Sequence, residues 1–264
     1  MDKMKRFVSS LNNYFSQAQK MSSKLSDINM NNVAMLSNGC ANPMGMSKTM
    51  SCCDEHAVEI AADRMHHGEV IALPTDTVYG LACSANDPHA IQKLYEIKGR
   101  DEEKPVAVCV SSISQLKHYS EASHLPDELL SRLLPGAVTI ILNKSKYLNN
   151  PFLNNGIRKI GLRIPDYEFI QKVSAKFIEP IALTSANKSG ASSTLDVFEF
   201  ADLWPDLSVV FDGGHLGDRD NDMKQRCAST VVDLSVPGYY QIIRNGIAME
   251  HTISTMKEFG IQNS

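Results

Sequence analysis

The stretch EVIALPTDTVYGLACSANDPHAIQKLYEIKGRDEEKPVAVCV, residues 69–110, decides the fold class. It opens on EVIALP, a short apolar run that suits a buried strand. DPHAIQKLYEIKG (87–99) reads as a helix: Asp87 can cap the first turn and Pro88 fits the first helical position. Ile91, Leu94 and Tyr95 then recur at helical spacing, and Gly99 ends the run. PVAVCV (105–110) is strand-like again. Strand, helix and strand in succession is the texture of an α/β domain.

That texture extends in both directions. Upstream, DEHAVEIAADRMHHG (54–68) reads as a helix with Val58, Ala61, Ala62 and Met65 on one face and Gly68 as its stop. Downstream, PDELLSRLL and DYEFIQKVSAKF are helical, while AVTIIL, IGLRIP, PIALTSA, SVVFDGG, ASTVVDL and YYQIIR are strand candidates. The expectation is one α/β domain with a mixed sheet over residues 54–250, followed by a C-terminal tail, 251–264. Residues 1–53 differ: Lys3, Lys5, Arg6, Lys20, Lys24 and Lys48 face only Asp2 and Asp27 over the first fifty, amid Ser, Asn and Met. A basic, Ser-rich, acid-poor leader matches a mitochondrial transit peptide or a disordered tail. Cytoplasm and mitochondrion are the expected locations.

With 43% apolar and 21% charged residues, a chain of 264 residues can bury a sizeable core. Its net charge of −4 argues against a protein that coats nucleic acid non-specifically, so any anion site must be a local gathering of cations. The six cysteines form no C-x-x-C and no ligand spacing with histidine, which predicts neither a disulfide framework nor protein-bound zinc. No apolar run has the length of a transmembrane helix.

Polar motifs follow several strands at once. Thr75, Asp76 and Thr77 follow IALP; Thr184, Ser185, Ala186 and Asn187 follow IAL; Arg244 ends QIIR. In open α/β sheets ligands collect at such strand ends. Arg163, inside an apolar strand, is costly to bury unpaired, so it calls for a ligand or an acidic partner, and a ligand is the reading adopted. KGRDEEKP (98–105) crowds Lys98, Arg100 and Lys104 into eight residues. There is no P-loop, no G-x-G-x-x-G, no G-x-S-x-G and no histidine in a base-like motif. Cations, hydroxyls and amides remain, a set that binds and positions a polyanion while charge builds on phosphorus.

PTDTVYGL (74–81), KGRDEEKP, LPGAVT (134–139), GLRIP (161–165), LTSANKSG (183–190), STVVD (229–233) and IIRNG (242–246), in this order, resemble the YrdC-type threonylcarbamoyl-AMP synthases. EFADLWPDLSVV and STVVDLSVPG are similar to the short animal form of that family. The resemblance implies a YrdC-like α/β fold, a twisted mixed sheet with flanking helices around a large basic cavity. It implies the conversion of L-threonine, bicarbonate and ATP to threonylcarbamoyl-AMP and pyrophosphate, which feeds N6-threonylcarbamoyladenosine at position 37 of tRNA. Lys98 and Arg100 would be catalytic and, with Thr139, Arg163, Asn187 and Arg244, would bind ATP. Thr75, Thr77, Lys104, Ser185 and Ser229 would bind L-threonine. Magnesium would be carried by ATP, the product would pass to a threonylcarbamoyl transferase machinery, and no stable direct tRNA binding is expected. Asp101 stands where many microbial members have proline, so this acid is expected to point away from the phosphates.

Other readings share the basic concavity. A non-catalytic RNA-binding YrdC-like module is opposed by the negative net charge and by the lack of aromatics interleaved with the cations. A carbamoyl-adenylate domain of hydrogenase maturation would sit beside acylphosphatase and zinc-finger segments that this sequence lacks. A regulatory small-molecule binder would show no pyrophosphate release requiring both threonine and bicarbonate.

Overall fold

Among the described residues, two of seven α-helices lie on one face of a mixed sheet, and they leave part of that face bare. The structure, a computed structural model, describes residues 48–99 and 105–264, which belong to a unit spanning Met46–Ser264. Its strands are β1 (Thr49–Ser51), β2 (Ile71–Leu73), β3 (Gly80–Ser84), β4 (Ala107–Cys109), β5 (Val138–Asn143) and β6 (Lys159–Arg163), then β7 (Ile181–Ser185), β8 (Val210–Asp212), β9 (Thr230–Asp233), β10 (Tyr239–Arg244) and β11 (Gln262–Asn263). Its helices are α1 (Ala57–His66), α2 (Pro88–Lys98), α3 (Ile113–Tyr119), α4 (Asp127–Leu133), α5 (Glu168–Phe177), α6 (Asp222–Gln225) and α7 (Met249–Glu258). The strands lie in the order β1-β8-β2-β3-β7-β4-β6-β5-β9-β10-β11. The sheet mixes parallel pairs such as β4 with β6 and β5 with β9 and antiparallel ones such as β3 with β7 and β5 with β6. None of the described helices is long and apolar enough to cross a membrane.

Local chemistry sets the ends of these elements. The Asp87 carboxylate accepts from the amides of His89 (2.8 Å) and Ala90 (3.3 Å), Pro88 opens α2, and Gly99 closes it at φ +52°. That left-handed turn is the conformation glycine adopts without steric cost. β2 and β3 form an antiparallel hairpin in which Leu73 faces Gly80. PTDTVY, residues 74–79, is therefore a hairpin loop, and β3 follows directly after a polar run that hid it from the strand pattern.

Alternation along the strands sorts the two faces. Leu81, Cys83, Val108, Ile140, Leu162, Ala182 and Val232 point into the larger core, where they meet Ile91, Leu94, Leu116, Leu129 and Met256 from α2, α3, α4 and α7. Ile71, Leu73, Ala82, Cys109, Ile181 and Leu183 point the other way. There they pack on Ala61 and Met65 of α1 and on Phe169, Ile170, Val173 and Phe177 of α5. Neither helix extends over the part of this face made by β5, β6 and β9.

Two boundaries differ from the expected ones. The domain begins before residue 54, because β1 pairs with β8 from Thr49 to Ser51. Residues 251–264 are no tail: most of α7 and all of β11 lie there, Met256 is fully buried, and β11 pairs with β10. The polar surface of α7 masks a narrow buried stripe of Thr252, Thr255 and Met256.

Candidate active site

The bare part of that face opens into a cavity of about 320 Å³. Its floor is set by side chains two apart on adjacent strands: Thr139 and Ile141 of β5, Gly161 and Arg163 of β6, and Val231 of β9. Ala107, Gly80 and Ser185 extend it toward β4, β3 and β7. Small residues keep it open. A Cβ on Gly161 would come within 2.9 Å of the Thr139 methyl, and one on Gly80 within 2.7 Å of Leu183 Cδ1. The site lies across the sheet face as well as at strand ends, so an argument from strand ends finds only part of it.

Two arginines face this cavity. Arg163 Nη2 donates to Asp76 Oδ1 at 2.5 Å and to Thr77 Oγ1 at 3.3 Å. Asp76 Oδ2 accepts from the Asp166 amide at 3.0 Å. Both side chains of this pair are 8% exposed, so each depends on the other to offset lost hydration. The acidic partner expected as the alternative to a ligand is thus Asp76. The pairing is incomplete, because Arg163 Nε is buried without a hydrogen-bond partner. Arg244 donates from Nε and Nη2 to the Ser229 carbonyl at 3.0 and 2.9 Å, and from Nη2 to Ser229 Oγ at 2.9 Å. Ser229 Oγ in turn lies 2.9 Å from Thr139 Oγ1. Partial burial and the positive charge of Arg163 hold the Arg244 guanidinium below its usual pKa. An anion in the cavity between the two guanidiniums would relieve that repulsion.

A register irregularity explains how Arg244 arrives there. Ile242 pairs with Val232 and Arg244 with Val231, leaving Ile243 as an extra residue in β10. Such a bulge re-aims the strand, so the consecutive residues Ile243 and Arg244 both line the cavity.

The 74–79 loop supplies the opposite wall. Thr75 Oγ1 donates to the Val78 carbonyl at 2.7 Å and accepts from the Thr77 amide at 3.2 Å. A hydroxyl carries one hydrogen, so Thr77 Oγ1, 3.0 Å away, must be the donor to Thr75. Thr75 lines the cavity, while Thr77 is buried beneath it as the link between Thr75 and Arg163.

Lys98 and Asn187 depart from expectation. Lys98 is 2% exposed, and its ammonium donates to the carbonyl of Ser185 at 2.6 Å and to that of Asn187. Asn187 Nδ2 donates to the carbonyls of Lys188 (2.8 Å) and Ala191 (2.7 Å). Neither residue lines the cavity; both brace the turn after β7, because that turn's backbone carbonyls need donors. Arg100, Asp101 and Lys104 lie outside the described residues, although Pro105, next to Lys104, lines the cavity. Among the described residues no three His, Cys, Asp or Glu side chains gather as a metal site.

Residues 63–246 match the Sua5/yciO/yrdC family model, described as telomere recombination. The chain belongs to the Sua5/YciO/YrdC family. It is 46% identical to proteins named threonylcarbamoyl-AMP synthase from Bos taurus, over 78% of this chain and 73% of that one, and from Homo sapiens, over 76% and 71%. Among solved structures it resembles P. abyssi Sua5 complexed with L-threonine, at TM-score 0.65 and 29% identity over 78% of this chain and 58% of that one. E. coli YciO, at 24% identity and TM-score 0.65, supports the fold alone.

Sequence reasoning missed several residues of this Sua5/YciO/YrdC site. Tyr79 lines the cavity and ties its wall to the strand β8 exit: its phenol donates to the Gly214 carbonyl at 2.7 Å and accepts from the Gly213 amide at 2.9 Å. Burial pushes that phenol's pKa up. Ser193 also lines the cavity, and Gln225 holds the 74–79 loop. Asp76 was visible within PTDT, but only its distance from Arg163 gives it a task.

Proposed function

We propose that this chain is a threonylcarbamoyl-AMP synthase, forming threonylcarbamoyl-AMP and pyrophosphate from L-threonine, bicarbonate and ATP. The product serves N6-threonylcarbamoyladenosine formation at position 37 of tRNA, through a downstream transferase and without stable tRNA binding by this chain. The observation that carries the reading is the convergence of Arg163 and Arg244 on a hydroxyl-lined cavity, with Arg163 Nε still unpaired.

The chain's own groups bind and orient. Asp76 and the Ser229 carbonyl fix the two guanidiniums before a ligand arrives. Charge that grows on the α-phosphate as the carbamate oxygen attacks then meets donors already in place, a contribution that needs no reorganisation at the moment of reaction. Thr139 would add a hydroxyl on the nucleotide side and Ser229, 2.9 Å from it, one on the threonine side. Thr75 and Ser185 face the cavity from the loop and β7, the side we assign to threonine. Arg100 and Lys104, outside the described residues, would by the family resemblance add cations to this set. Lys98 and Asn187 act through the turn that carries Ser185. Asp76 is engaged by Arg163 and the Asp166 amide, so magnesium would come with the nucleotide's phosphates.

The test is pyrophosphate release by the purified chain with ATP, L-threonine and bicarbonate, together with mass detection of the adenylate. Release that depends on both threonine and bicarbonate is expected. Release that continues without either one would rule the synthase reading out.

A further inference from the structure

Gln225 does not line the cavity, yet it holds the wall that carries Thr75. Its Nε2 donates to the Thr77 carbonyl at 2.8 Å and lies 3.4 Å from the Asp76 carbonyl. Both neighbours are acceptors, so only the amide's NH₂ end can face them. Gln225 ends α6, in a segment that returns to the cavity three residues later at Ala228. The fold makes room for it: Gly217, at φ +79°, has no Cβ, and one placed there would come 3.0 Å from both Gln225 Cγ and Cδ. The next residue clamps another wall, since Arg226 donates to the Ser193 carbonyl at 2.6 Å while paired to Glu199. Ser193 and Thr75 both line the cavity.

We propose that Gln225 is a positioning residue for the amino-acid side of the site, setting the 74–79 loop through the Thr77 carbonyl. This rests on the synthase reading and on the assignment of Thr75 to threonine. Thr75 has its hydroxyl engaged within its own turn, so the surface it offers a ligand depends on where the turn as a whole is held. The carbonyls of residues 76 and 77 are one outward attachment of that turn, and Gln225 holds them. Arg163 approaches the same turn from the other side through Asp76 and Thr77 Oγ1. Without Gln225 the turn keeps its internal hydrogen bonds and its contacts with Arg163 and the Asp166 amide but loses its attachment at the Thr77 carbonyl.

Steady-state kinetics on the full chain separate this role from simple packing. Gln225→Glu keeps the shape but an ionised carboxylate cannot donate to a carbonyl; Gln225→Met keeps the length and donates nothing; Gln225→Lys changes the shape but restores a donor. We expect Gln225→Glu and Gln225→Met to raise the KM for L-threonine about tenfold, the scale of leaving one carbonyl unpaired. The KM for ATP should stay near that of the unaltered chain, and the melting temperature should fall by only about 2–4 °C. Gln225→Lys should recover most of the threonine affinity. A threonine KM within twofold of normal in Gln225→Met, or an equal rise for ATP, overturns the proposal. So does Gln225→Glu outperforming Gln225→Lys. If the unaltered chain itself releases no threonine-dependent pyrophosphate, the synthase reading has failed instead.

Discussion

Lys98 changes meaning once its burial is known. In KGRDEEKP it reads as one of three cations around a phosphate site, and an exposed lysine could be truncated with little effect on folding. In the structure its ammonium is enclosed and serves the carbonyls of Ser185 and Asn187. Lys98→Met should therefore cost about 1–3 kcal/mol in stability, the range for stranding buried acceptors, read as a lower midpoint in urea unfolding. An unchanged midpoint would mean that the lysine is not needed to hold the turn after β7. Arg163 shows the converse. Its place in an apolar strand announced that it needed compensation, and that much was legible from the residue alone. The identity of the partner was not, because Asp76 and Arg163 are separated by 87 positions and meet only through the sheet. Thr75 and Thr77 were read as equivalent pocket residues, yet the turn puts one at the wall and the other beneath it. Direction of a side chain within a tight turn has no signature in spacing.

At the scale of elements, long periodic runs were the legible part. α2 was predicted with its cap, its first-turn proline and its terminal glycine, and all three do what their chemistry suggests. β3 was not seen, since it starts within two residues of a polar loop and has small residues where a strand usually carries branched ones. α7 was missed because most of its surface is polar and its buried residues include two threonines, whose hydroxyls bond back to the helix carbonyls of Ala248 and His251. The packing of that helix is nonetheless part of the core. Met256→Ala should destabilise the chain by about 2–5 kcal/mol, the usual cost of deleting a fully buried methionine side chain. The effect is to be measured by chemical unfolding, and a loss below about 0.5 kcal/mol, typical of surface positions, would return α7 to the status of a tail. The bulge in β10 belongs to the same scale. Period-2 reasoning puts Ile243 and Arg244 on opposite faces; one unpaired residue puts both at the cavity.

For the whole molecule, the negative net charge and the positive site are consistent because charge acts locally. The two described cavity arginines lie on β6 and at the end of β10, so the field they make is local and compatible with a chain of net charge −4. The α/β class could be read in advance from periodicity, and the order of motifs from the family resemblance. The cavity on the sheet face could not, since it arises from which part of a face α1 and α5 leave bare. Every described residue that lines this cavity lies between Thr75 and Arg244, and both cores lie between Ala57 and Met256. A fragment covering residues 48–264 should accordingly keep the melting temperature and the threonine and ATP KM values of the full chain. For residues 1–47 we propose the transit reading over that of a tail without an address: fused to a reporter, they should carry part of it into mitochondria, with the remainder cytoplasmic. The two measurements are independent. A fragment whose KM values rise would show that the leader completes the site, whereas a reporter that stays wholly cytoplasmic would remove the transit reading and leave the synthase reading intact.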